Sequence, residues 1–297
     1  MKSIVLATLA VLSCLAPAGS GGTLLVLNKS DHEVAIVDAA SQKVLAKLPT
    51  GRGPHEAVVS PDGRLAYVAN YGAHGLFREG QAPKFEPGNT LTVVDLEKRA
   101  VRATYDLAPH SQPHGIAVSR DGRLLWVTVE GSQSVLEIEA ASGKILRAWK
   151  TAQDVSHMLV PTPDERKLYV ANIGSGSVTV VDRASGTVKS VPTGAGAEGI
   201  DVTPDGREVW VTNRGANMVS VLDTKTDAVA ASFASDGKFP IRIKFTPDGR
   251  QAWVSNAMSN AVAVFAATTR KPLGAIAAGA VPVGIPTTPA GKRAYGG

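Results

Sequence analysis

Tyr169-Val170-Ala171-Asn172, Trp210-Val211-Thr212-Asn213 and Trp253-Val254-Ser255-Asn256 are three copies of one pattern: an aromatic residue, a valine, a small residue and an asparagine. Toward the N-terminus it stands again at Trp126-Val127-Thr128-Val129, at Tyr67-Val68-Ala69-Asn70 and, with leucine leading, at Leu25-Val26-Leu27-Asn28. A partial copy begins at Tyr295. Successive copies lie 42, 59, 43, 41, 43 and 42 residues apart, so the chain repeats one unit and carries an insertion of about 17 residues in the second copy.

A tight turn precedes each copy: Pro61-Asp62-Gly63, Asp121-Gly122, Pro204-Asp205-Gly206 and Pro247-Asp248-Gly249, with Pro163-Asp164-Glu165 and Pro289-Ala290-Gly291 as weaker versions. Proline presets φ in such turns and glycine supplies the positive φ. An alternating strand follows, as in Val178-Thr179-Val180-Val181-Asp182, and a turn such as Ala184-Ser185-Gly186 leads to one strand more. Four strands per unit, a to d from the axis outward, predict an all-β fold, a β-propeller of four-stranded antiparallel blades. The tetrads resemble the repeat of the YVTN β-propeller family over essentially all of residues 23–297, a resemblance that specifies fold far better than function.

Residues 24–50 supply strands b, c and d with no strand a, whereas residues 283–288 read as an inner strand with no blade behind it. The expectation is a single propeller domain of six blades, closed by N- and C-terminal strands sharing one blade, which leaves no open sheet edge. The family resemblance keeps seven blades open for a chain shortened at its C-terminus.

The first residues differ in character. Lys2, an apolar run from Ile4 to Leu12 and the small residues to Ala18 have the layout of a secretory signal peptide over residues 1–18. The mature domain is therefore expected in the periplasm or secreted. Val11-Leu12-Ser13-Cys14 also resembles a lipobox, which keeps open a lipid anchor at Cys14 and an outer-membrane lipoprotein. Cys14 is the only cysteine, so no disulfide, zinc-thiolate or thiol chemistry is available to the mature chain. No later apolar run predicts a transmembrane span. The 31 basic and 26 acidic residues are scattered, which argues against a nucleic-acid partner.

Aligned on the turns, His55, His114, His157, Glu198, Ile241 and Val283 occupy one position, seven residues before the aspartate or its replacement. That position begins strand a near the mouth of the central channel. The chain has six histidines, His32, His55, His74, His110, His114 and His157, and three fall in this register. Three imidazoles and a carboxylate form a first-row metal set, so His55, His114, His157 and Glu198 are the predicted ligands of a divalent transition metal; zinc, iron, manganese, copper and nickel all suit it. Glu198 and Glu56 are the predicted acid-base groups, with Arg242 assisting or paired to a carboxylate. The insertion, residues 71–88, joins strands b and c on the same face; Tyr71, His74, Arg78 and Arg242 are expected to contact substrate. Asp201 and Lys244 are read as a structural pair between blades, and the tetrad asparagines as turn residues.

These residues point to an exported metal-dependent hydrolase or lyase acting on a small polar ester, lactone or sugar-derived acid. The chain looks like lactonase and streptogramin-lyase propellers in this respect, without matching enough of their motifs to carry an activity across. The alternative is a non-catalytic binding or scaffold propeller for an envelope protein partner or a metal.

Overall fold

The structure, a computed structural model, describes residues 12–14, 22–74 and 84–285 of the 297-residue chain, with the backbone alone at 12–14 and at 74. Six four-stranded antiparallel sheets follow one another along it. The first is β1 (Leu12–Cys14), β2 (Thr23–Asn28), β3 (Glu33–Asp38) and β4 (Val44–Pro49). The second is β5 (Pro54–Val59), β6 (Leu65–His74), β7 (Phe85–Asp95) and β8 (Ala100–Asp106). The third is β9 (Pro113–Val118), β10 (Leu124–Val129), β11 (Ser134–Glu139) and β12 (Ile145–Lys150), and the fourth β13 (Ser156–Pro161), β14 (Lys167–Asn172), β15 (Ser177–Asp182) and β16 (Val188–Pro192). The fifth is β17 (Ala197–Val202), β18 (Glu208–Asn213), β19 (Met218–Asp223) and β20 (Ala228–Ala234), and the sixth β21 (Pro240–Phe245), β22 (Gln251–Asn256), β23 (Ala261–Ala266) and β24 (Pro272–Ala277). Among the described residues no helix is long and apolar enough to cross a membrane.

Local chemistry explains the repetition. In each a–b turn a hydroxyl two residues ahead of the aspartate donates to its carboxylate: Ser60 to Asp62, Ser119 to Asp121, Thr162 to Asp164, Thr203 to Asp205 and Thr246 to Asp248, all at 2.6–2.7 Å. These bonds hold the five carboxyls below the usual aspartate range. The residue after the glycine or its replacement, as Arg64 N to Asp62 Oδ1 at 3.1 Å, closes the turn.

The tetrads pack the blades against each other. Leu25 and Val68 join sheets one and two, Tyr67 and Val127 sheets two and three, Trp126 and Val170 sheets three and four. Tyr169 and Val211 join sheets four and five, and Trp210 with Phe245 and Phe265 sheets five and six. Each such side chain taken from water contributes about 1.5–3 kcal/mol, which here falls between sheets and fixes their spacing. The third tetrad residue stitches neighbours: Thr128 Oγ1 accepts from Gly115 N at 2.8 Å and donates to His157 O of the next blade at 2.6 Å. Thr212 reaches Ile241 O at 3.4 Å and Ser255 reaches Val283 O at 3.5 Å in the same way. Lys244 and Asp201 pair between blades at 3.3 Å.

Three details differ from the sequence reading. The inner strand of the first blade is β1, antiparallel to β2, with Leu12 opposite Leu25 and Cys14 opposite Thr23. It lies inside the predicted signal peptide, whose other residues, like 286–288 of the expected closing strand, are outside the described residues. Residues 283–285 form no strand, although Val283 takes the inter-blade contact that His157 and Ile241 take in their own blades. Second, the insertion is not loop throughout: β6 and β7 extend as a hairpin, with Gly72 opposite Pro87 and His74 opposite Phe85. Third, Asn70, Asn172 and Asn213 are buried cross-strand bridges rather than turn residues, while half-buried Asn28 donates to Glu33 and Asn256 to Ser235 O. Asn172 Nδ2 donates to Ser177 and Thr179 of strand c at 3.1 and 2.9 Å, and Asn70 Nδ2 to Thr90 and Thr92 at 3.0 Å.

Candidate metal centre where the inner strands begin

Two residues before each register position the backbone is left-handed: Gly53, Gln112, Val155, Gly196, Phe239 and Val281 have φ of 60°, 57°, 54°, 75°, 58° and 56°. This turn aims the side chains of His55, His114, His157 and Glu198 at one another from four successive blades. The carbonyl of the same residue accepts the N–H of the residue after the tetrad, from Tyr71 on Gly53, Glu130 on Gln112 and Arg214 on Gly196 at 2.9–3.1 Å. Tyr71, Glu130, Ile173, Arg214 and Ala257 therefore form a second ring beside the first, and Lys29, which follows the first tetrad, comes up to Tyr71.

His114 stacks on His157 with ring centroids 3.5 Å apart and lies 4.3 Å from His55. Glycine makes this approach possible, since a Cβ on Gly115 would stand 2.5 Å from His157 O. His114 is 1% exposed, and neither of its ring nitrogens has a hydrogen-bond partner among the described residues. Burial, then the neighbouring imidazoles, hold it well below the usual histidine range; burial, then Arg242, does the same to His157. Both rings are neutral at pH 7 and can serve as ligands.

Glu130 is the residue that the sequence reading missed. Its Oε1 lies 2.7 Å from His157 Nδ1, and its Oε2 accepts from Tyr71 Oη at 2.7 Å. Burial raises this carboxyl to about 7, the Tyr71 bond opposing the rise. Gln112 Nε2 donates to Tyr71 Oη at 3.1 Å, and Lys29 Nζ stands 5.1 Å from the Tyr71 ring centroid. Glu130 follows Val129 of its tetrad directly, so aligning the residue after each tetrad would have found it.

Two sets of possible ligands result: His55, Glu56 and His114, and His114, Glu130 and His157, with donor atoms within 4.8 Å of one another in each. Glu198 belongs to neither. It lies 3.7 Å from His157 Nε2 and accepts from Arg214 at 2.8 Å; burial raises its carboxyl and Arg214 opposes this. Arg242 of the sixth blade reaches Glu56 of the second and donates to its Oε1. Burial would raise Glu56, but Arg242 with His55 and His157 outweighs it and the carboxyl lies low. Arg242 Nη1 is buried without a hydrogen-bond partner among the described residues. Tyr71 faces the cluster; the His74 side chain and Arg78 lie outside the described residues.

Residues 149–293 match the family model described as YNCE-like beta-propeller. No curated protein matches the chain. The fold is similar to a structure of Kuenenia stuttgartiensis hydrazine synthase, with a TM-score of 0.82 and 21% identity over 100% of this chain and 94% of that one. It is also similar to a functionally unknown protein from Desulfotomaculum acetoxidans DSM 771, with a TM-score of 0.69 and 17% identity over 93% and 89% of the two chains. At these identities the likeness concerns the fold alone. The chain is a β-propeller of six four-stranded blades, and its residues 149–293, just under half of it, are similar to the YNCE-like beta-propeller family.

Proposed function

We propose that this propeller binds a divalent transition metal among His114, His157 and Glu130 and acts as a hydrolase or lyase on a small anionic ester, lactone or sugar-derived acid. The observation that carries the reading is His114, sealed from solvent with both ring nitrogens unpartnered beside another imidazole and a carboxylate. A buried imidazole left so forfeits about 1–3 kcal/mol of hydrogen bonding, which a cation at its nitrogen returns. The metal would polarise a carbonyl or generate hydroxide.

The chain's own groups supply the rest. Tyr71 fixes Glu130, and Arg214 holds Glu198 3.7 Å from His157, where it can take or return a proton. Glu56, Glu130 and Glu198 face Lys29, Arg214 and Arg242, so a divalent ion tips the site positive and favours an anionic substrate. Arg242 Nη1 is the donor left for that anion. Export follows from the signal layout of residues 1–18; cleavage after Ala18 removes β1 from the mature protein. Elemental analysis of the purified chain, followed by an esterase, lactonase and lyase screen, tests the reading. Absence of metal even after reconstitution would replace it with the binding-module alternative.

A further inference from the structure

We infer that the site holds two divalent cations, one on each side of His114, with one nitrogen of that ring serving each. The inference rests on the metal-binding reading above. The ligand sets divide evenly: His55 with Glu56 on one side, His157 with Glu130 on the other, and His114 common to both. A metal-bound imidazole ordinarily hands its second nitrogen to a carboxylate or a carbonyl. Among the described residues His114 has no such acceptor, and both of its nitrogens are buried without a hydrogen bond. A second cation gives the second nitrogen its partner.

Each side is equipped to bind independently. His55 Nδ1 is buried with no hydrogen bond among the described residues and lies 3.8 Å from Glu56 Oε1, the oxygen that Arg242 holds, so Oε2 is the Glu56 atom proposed to coordinate. On the other side His157 Nδ1 and Glu130 Oε1 share a 2.7 Å hydrogen bond; two donors bound at about 2.0–2.2 Å to one tetrahedral ion stand about 3.3–3.6 Å apart, so the pair would part by under about 1 Å to take one. The first ion binds neutral His114. The second replaces the proton on its other nitrogen, which leaves to solvent, so His114 becomes a bridging imidazolate and one proton appears in the medium.

The test is reconstitution of the full chain with zinc, and separately with copper(II), for the wild type, Glu56→Gln and Glu130→Gln, each checked for folding by circular dichroism. Two equivalents of zinc in the wild type and one in each variant are expected. The doubly loaded copper protein is expected to lose paramagnetic resonance intensity through coupling across the ring, which Glu56→Gln restores. One equivalent in the wild type, unchanged in Glu56→Gln and lost in Glu130→Gln, overturns the pair and leaves the single-metal reading standing. Two equivalents with full, uncoupled copper signal overturns the bridge. No metal in any protein overturns both readings together.

Discussion

Replacing Gly115 with alanine separates the closeness of blades three and four from the chemistry built on it. The new Cβ would lie 2.5 Å from His157 O, 2.9 Å from Met158 Cα and 3.0 Å from Leu159 N, all of them backbone atoms, where ordinary contact begins at 3.4 Å. Strand β13 therefore has to withdraw by about 1 Å, the overpacking regime that costs about 1–3 kcal/mol. For a domain of this size each kcal/mol lowers Tm by about 2–4 °C, so a loss of about 2–12 °C is expected by calorimetry. The withdrawal also stretches the 2.6 Å bond from Thr128 to His157 O and opens the 3.5 Å imidazole stack. Metal–ligand bonds tolerate only about 0.2 Å, so zinc affinity in a competition titration should fall at least about tenfold. Gly199→Ala is the comparison: its Cβ would stand 2.3 Å from Ile241 O and 2.8 Å from Arg242 Cα, between blades five and six, so it should lower Tm and disturb only the Glu56 that Arg242 holds, leaving zinc at His114, His157 and Glu130 in place. An unchanged Tm and unchanged zinc affinity for Gly115→Ala would refute the argument.

Arg183→Met leaves buried Glu137, which also accepts from Trp126 Nε1, with only the exposed Arg147 at 3.6 Å as its cation, so a loss of about 1–3 kcal/mol is expected in urea unfolding. Tyr71→Phe removes the donor that fixes Glu130 and should weaken metal binding about tenfold while keeping the fold, as isothermal titration and circular dichroism would register. The turn aspartates are depressed in the folded state, so their contribution is complete above the unfolded carboxyl pKa and is lost as pH falls through the folded values; unfolding at pH 7 and pH 3 should show a deficit at the lower pH that Asp62→Asn and Asp205→Asn reduce. Thr128→Val removes the stitch between blades three and four and, with its acceptor and donor partners left buried, should cost about 1–3 kcal/mol in the same assay.

The blades were legible because each is specified by chemistry within a few residues: a Ser or Thr, an aspartate and a glycine make the turn, and the tetrad supplies what the next blade packs against. The imidazoles were legible for the same reason, since a fixed distance from the turn places His55, His114 and His157 at equivalent points. Glu130, Lys29 and Arg214 were not, because they are registered to the end of strand b rather than to the turn. The partnership of Arg242 with Glu56 joins residues 186 positions apart and could be offered only as one of several pairings. The asparagines misled for a different reason: their sequence neighbourhood is that of a turn, and only burial shows that the amide works sideways into strand c.

The left-handed residue ahead of five of the inner strands, β5, β9, β13, β17 and β21, has a consequence for how such a protein changes over time. Glycine, glutamine, valine and phenylalanine all take that conformation here, so the backbone at the funnel is set by the blade rather than by the residue that occupies it. The side chain two positions later is then a socket: histidine, glutamate, isoleucine or valine can stand there on an unaltered scaffold. A ligand set can be gained, lost or moved round the axis one substitution at a time. Chemistry in this architecture drifts while the fold stays fixed.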